Sequence, residues 1–320
     1  MDYAIALPFG GPGVVDPEWV GEFARHAESC GFESLVAAEH SVMVSGTSST
    51  YPYSPDGRLP VVPDCPVPDP LELLSFLAAR TATIGLATGV LILPHHHPVV
   101  LAKRAATLDA LSGGRLRLCV GVGWLREETE ACGVDFATRG RRADEQVRVL
   151  RTLWSHDGPE GATHEGEFFR FERVLCRPRP RRATGIPLHF GGHSTAAARR
   201  AGRYGDGFQP LGVEGAELTR LAGVMRDEAE RYGRDPDALE LSLYRGLGEL
   251  TAEEAAGLAD LGVHRIVLQT GAGAEADLER HKDAMSACAA RLFADRALPR
   301  RDVPGRDVPG RDVPGRATAR

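Results

Sequence analysis

Short apolar segments alternate with capped amphipathic segments along nearly the whole chain, and this alternation limits the folds open to it. Residues 3–7 read as a strand, after which Asp16-Pro17 supplies an N-cap and first-turn proline. Val20, Phe23, Ala24 and Ala27 then recur at helical spacing before Gly31. Further strands are predicted at 34–38, 84–93, 116–122, 187–191, 207–211, 239–244 and 264–269. Between them lie helices opened by Asp69-Pro70, by Pro98 and by Ser194, and helices over about 139–154, 214–232, 251–261 and 274–293. Thr251 and Glu254 have the spacing of a capping box, and Gly113-Gly114 stops the helix begun at Pro98. About eight strands, each followed by helix, call for a parallel sheet covered by helices. Count and length fit an α/β fold of the closed (β/α)8 TIM-barrel type with insertion loops; an open doubly wound sheet is the alternative. No GxGxxG follows the first strand, which favours the barrel.

Composition removes several function classes. With 42% hydrophobic and 26% charged residues the chain has the balance of a soluble globular protein. Its net charge of −6 offers no basic field for nucleic acid. The longest apolar stretch, 84–94, is about half the roughly twenty residues a membrane span needs. Asp2 and Pro8 interrupt any charged-then-apolar leader, so the expectation is a cytoplasmic protein with its six cysteines reduced. Near the C-terminus Arg301-Asp302-Val303-Pro304-Gly305 recurs at 306–310 and 311–315. A five-residue Pro-Gly period builds neither a helix face nor a core. The expected organisation is therefore one barrel domain over 1–295 and a disordered tail over 296–320.

In a barrel the chemistry belongs at the C-terminal strand ends. The second strand ends at Glu39-His40, where the imidazole can exchange protons near neutral pH and Glu39 is expected to orient or tune it. His95-His96-His97 follows the third strand, but neighbouring side chains on an extended segment diverge, so no metal site is expected. Phe190-Gly191-Gly192-His193-Ser194, between strand and helix, suits an anionic ligand: glycines let backbone N–H groups approach, and the helix N-terminus adds positive potential. Ser194 either bonds that anion or caps the helix. Two connections are too long for turns. Segment 41–68 follows the second strand and reads as a lid or substrate wall, and 156–186 contains a hairpin around Gly166-Glu167-Phe168-Phe169.

Several blocks together carry a resemblance. These are residues 88–94 (TGVLILP), 98–103 (PVVLAK) and 107–115 (TLDALSGGR), then Gly121-Val122-Gly123-Trp124, Gly191-Gly192 and Gly205-Asp206-Gly207-Phe208. In this order, across about residues 3–290, the chain resembles the luciferase-like monooxygenase superfamily, and within it the branch of F-420-dependent oxidoreductases. The resemblance implies a TIM barrel, often dimeric, holding FMN or the deazaflavin coenzyme F-420 at its C-terminal face. It implies a cis peptide at Gly89–Val90 that pushes a bulge against the cofactor's central ring. Thr88, Gly89, Val90, Gly191, Gly192, His193 and Ser194 are accordingly the expected cofactor-binding residues, and His40 with Glu39 the expected catalytic pair. Arg199, Arg200 and Arg203 are candidates for the anionic F-420 tail. Where some sugar-phosphate-oxidising relatives carry a catalytic Glu, this chain has Trp124, with Glu127 and Glu128 further along; that departure argues against sugar phosphates.

Three functions stay open on this reading. The first is hydride transfer between F-420 and a small organic substrate. The second is an FMN-dependent monooxygenase using O2 and reduced flavin from a partner reductase. The third is an idle flavoprotein that binds a cofactor without catalysis.

Overall fold

Eight parallel strands close on themselves in the computed structural model, which describes residues 1–59, 64–270 and 277–293. They are β1 (Asp2–Ala6), β2 (Ser34–Ala37), β3 (Gly85–Thr88), β4 (Leu116–Gly121), β5 (Leu188–Gly191), β6 (Gly207–Gln209), β7 (Glu240–Gly246) and β8 (Arg265–Gln269). Each pairs with the next, β8 returns to β1 through Asp2↔Arg265 to Ala6↔Gln269, and β3 meets β4 at Leu86↔Leu116. The ring is a TIM barrel, as the alternation predicts. Residues 60–63, the segment 271–276 and everything from 294 onward lie outside the described residues. The three pentapeptide repeats, and with them the expected boundary between domain and tail, fall in that last stretch.

The local signals formed the elements they predict. Asp16 caps the helix Pro17–Ser29 by accepting from Glu18 N and Trp19 N at 2.9 and 3.0 Å. Asp69 does the same for Pro70–Arg80, and Thr251 with Glu254 closes a reciprocal capping box on Ala252–Asp260. Each such cap contributes about 1 kcal/mol. The hairpin pairs Ala162–Glu165 with Arg170–Val174. One strand departs from expectation. Segment 84–93 is broken into β3 and the two-residue piece Leu91–Ile92, because the chain turns out of the sheet at Gly89–Val90 before rejoining β4.

Side-chain alternation divides the interior. Tyr3 and Ile5 face outward into the main core, which fills the space between strands and helices. Ala4, Val36, Ala87 and Val267 face inward and form a small cluster inside the ring. Below it, toward the N-terminal strand ends, the filling is ionic. Glu33 accepts from Arg265 Nε at 3.0 Å, from Arg117 Nη1 at 3.2 Å and from Ser34 Oγ at 2.6 Å. Arg265 also reaches Glu240 at 2.6 Å. Burial works against the Arg265 charge, yet Glu33 and Glu240 more than offset it and raise its pKa. Charges sealed at one end and small residues in the middle leave the other end of the barrel open for a ligand.

Candidate active site

The C-terminal strand ends surround a cavity of about 780 Å³. Its floor is the turn that breaks β3. The Gly89–Val90 peptide is cis, as the resemblance implies, and Val90 lies across β4 and β5. A Cβ on Gly191 would stand 2.3 Å from Val90 Cγ1, and one on Gly121 would stand 2.9 Å from Val90 Cγ2. Only glycine at both positions lets Val90 lie this low. Beneath the turn, the Tyr244 hydroxyl donates to the Gly89 carbonyl at 3.2 Å and accepts from Gln209 Nε2 at 2.8 Å. Burial pushes the Tyr244 phenol far up, so it stays a donor. Thr88 differs from expectation. Its side chain is fully buried and its hydroxyl donates to the Cys119 carbonyl at 2.7 Å, so it braces β3 against β4 and does not line the cavity.

One wall carries His40 and Glu39. His40 Nδ1 donates to Glu128 Oε2 at 2.7 Å, and the other oxygen of Glu128 accepts from Ser41 N at 2.6 Å and Val42 N at 3.3 Å. A carboxylate only accepts, so Nδ1 carries the proton of this bond, while the His40 side chain lines the cavity. The partnership expected between Glu39 and His40 is corrected here. Successive residues on an extended segment face opposite ways, so Glu39 turns to Ile92 N and to His96 Nε2, the latter at 2.7 Å. The three histidines diverge as predicted. His95 sits between Ser41 Oγ and Thr129 Oγ1, His96 on Glu39, and His97 edge-on to Phe169. Burial pushes His95 below the usual histidine range against the pull of Glu128 and Glu39, so it is neutral at pH 7.

The long loop after β2 forms the roof. Glu127 holds it by accepting from the backbone and hydroxyl groups of Ser48 and Ser49 at 2.6–3.2 Å. Those hydroxyls keep the Glu127 carboxyl down at about 2, so this latch is charged throughout the neutral range. From it Tyr51 packs on Trp124, and Tyr53 reaches across to His193 beyond β5, with ring centroids 5.1 and 5.0 Å apart. Neighbouring carboxylates on one short helix, Arg126–Ala131, thus hold both the His40 imidazole and the loop above it.

The far end of the cavity is cationic. Gly191, Gly192, His193 and Ser194 line it, leading into the helix Thr195–Tyr204. Gly192 has φ 120, a conformation that favours glycine. Ser194 caps the helix by accepting from Ala197 N at 3.2 Å. Of the three arginines suggested for an anionic tail, Arg200 lines the cavity, held by Asp144 at 2.6 Å. Arg199 is exposed, and Arg203 is engaged by Glu228. Arg139 joins Arg200 instead, with its guanidinium 3.6 Å from the Phe136 ring centroid. Burial, then Arg126 and Arg200, lower its pKa, the signature of gathered positive charge.

With this geometry in view, the sequence model of luciferase-like monooxygenases matches residues 1–248. The chain belongs to the luciferase-like monooxygenase family. Among its relatives, 4-hydroxyprotoasukamycin monooxygenase of Streptomyces nodosus subsp. asukaensis is 33% identical over 223 residues, 68% of this chain and 54% of that protein. An F-420-dependent glucose-6-phosphate dehydrogenase of Nakamurella multipartita is 31% identical over 229 residues, 70% of this chain and 61% of that one. The barrel is also similar to the solved structure of an F-420-dependent secondary alcohol dehydrogenase, with a TM-score of 0.72 at 17% identity, covering 92% of this chain and 99% of that one. As a family member this protein is an oxidoreductase. Among its described residues no helix is long and apolar enough to cross a membrane.

The structure brings together His40, Gly89, Val90 and the Gly191–Ser194 loop, which the sequence had placed on three separate elements. Three contributors escaped sequence reasoning: Glu128, Arg139 and the Tyr244–Gln209 pair. Glu128 had been noted only as lying beyond Trp124. A carboxylate in the first turn of the helix after β4 was the available signal.

Proposed function

We propose that the barrel mouth binds coenzyme F-420 and carries out hydride transfer between it and a small organic substrate, with His40 exchanging the substrate's proton. The observation that carries this reading is the sequence of surfaces around one cavity. A glycine-cleared floor at Val90 accepts a flat ring, the Gly191–Ser194 loop with Arg139 and Arg200 accepts phosphate and further negative charge, and His40 stands on the wall between them. Bound there, F-420 would supply a carbon that accepts or returns a hydride.

The chain's own residues do the rest. Glu128 holds the imidazole in one tautomer and stabilises the imidazolium formed when Nε2 takes a proton from a substrate hydroxyl; reversal returns it to a carbonyl oxygen. Tyr244 and Gln209 hold the Gly89 carbonyl and so the floor. The roof of Tyr51 and Tyr53 covers part of the cavity, and water displaced from beneath it would strengthen every charge inside.

A second reading, FMN-dependent monooxygenation with a partner reductase, is favoured by the relative that is a monooxygenase. FMN ends in one phosphate, whereas F-420 continues into a polyanionic tail; two arginines at one end of the cavity support the longer ligand. Titration of the purified protein with each cofactor, in both redox states, tests the proposal. The expected result is quenching or shifting of F-420 fluorescence with micromolar affinity and no response to FMN; the reverse preference establishes the second reading.

A further inference from the structure

We infer that the substrate is an uncharged, flat aromatic or conjugated molecule that carries a hydroxyl or carbonyl oxygen, held by its ring beside His40. This rests on the proposed hydride-transfer site and names what enters it. Around His40 the walls are aromatic. Phe9 stands 5.5 Å from the imidazole at 85°, Trp124 6.2 Å away at 80°, and Tyr51 packs 5.1 Å from Trp124 and 5.3 Å from Tyr53. Rings in edge-to-face pairs take a further ring by stacking or by another edge, contacts that add to the gain from the area buried.

The charges agree with a neutral guest. Glu39 and Glu128 are buried directly behind this wall, and neither faces a lysine or arginine there, since their bonded partners are histidines and backbone N–H groups. An anionic group beside His40 would be repelled by both carboxylates, whereas the cationic end at Arg139 and Arg200 is given over to the cofactor. The donors agree too. The hydroxyls of Tyr51 and Tyr53 and the indole N–H of Trp124 make no hydrogen bond to any described residue, although all three side chains line the cavity. Burial, then the neighbouring Tyr51, pushes the Tyr53 phenol to about 12, so it keeps its proton. Three donors in an aromatic slot suit a ring bearing acceptor oxygens, and polyhydroxylated sugars would find too few polar partners.

The test uses full-length protein loaded with F-420 and titrated calorimetrically with acetophenone, 2-butanone and glucose 6-phosphate. Acetophenone is expected to bind at least tenfold more tightly than 2-butanone, and glucose 6-phosphate not at all. Trp124→Ala is expected to abolish that preference with F-420 affinity unchanged, and Trp124→Phe to retain it, which separates loss of the ring from loss of the fold. Equal affinity for the two ketones, a preference for glucose 6-phosphate, or a preference unaffected by Trp124→Ala overturns the inference. If F-420 does not bind, the cofactor reading fails, and the same titrations on FMN-loaded protein decide the substrate class by the same criteria.

Discussion

Replacing His40 by alanine is expected to lower turnover about 10²–10⁴-fold, the range for losing a positioned general acid or base, while leaving F-420 affinity within twofold. The two effects are expected to separate because His40 is held by Glu128 and packs edge-on to Phe9 and Trp124, whereas the proposed cofactor contacts are Val90 and the Gly191–Ser194 loop. Glu128→Gln is expected to fall between wild type and His40→Ala. The amide still reaches the loop, but it no longer carries the charge that stabilises an imidazolium on the far side of the 2.7 Å bond. Steady-state rates of F-420 reduction with 1-phenylethanol, beside fluorescence titration of each variant, measure both quantities. Full turnover in His40→Ala would remove the imidazole from the chemistry.

The second large effect concerns stability at the opposite end of the barrel. Glu33→Ala strands Arg265, only 4% exposed, and Arg117, 11% exposed, without the carboxylate that bridges them. Removing one partner of a buried ionic cluster costs about 3–5 kcal/mol, which for a domain of this size lowers the melting temperature by roughly 5–8 °C. Glu240 still pairs with Arg265, which sets the loss toward the lower part of that range. Cofactor affinity per folded molecule is expected to stay unchanged, because the small inner cluster of Ala4, Val36, Ala87 and Val267 separates Glu33 from the cavity. A melting temperature within 2 °C of wild type, measured calorimetrically, would show that the cluster contributes no net stability.

What could be read from the chain follows from range. Caps at Asp16, Asp69, Ser194 and Thr251 depend on residues two or three positions away, and each formed as its spacing predicts. The ring closure was legible because strand–helix alternation at this length admits few packings. The site was legible only at its strand ends. His40 and the paired glycines announce themselves by residue type beside an apolar run, but the partner of His40 lies 88 residues away, at Glu128. Adjacency pointed instead to Glu39, whose side chain faces the other way onto His96. Thr88 was drawn in with Gly89 and Val90 because the three are consecutive, yet the strand pleat turns its hydroxyl toward β4. Arg139 had no local mark of function. It became a wall residue because the helix Arg139–Ser155 packs its first turn beside the β4 end.

Titrating F-420 into wild type and Gly191→Val side by side asks most directly whether a flat redox ring lies on Val90. A side chain at position 191 must drive Val90 upward, since even its Cβ would come within 2.3 Å of Val90 Cγ1. The account predicts a saturable fluorescence change in wild type and none in the variant, with matching circular dichroism spectra. An unchanged titration in Gly191→Val would place the ring elsewhere and contradict it.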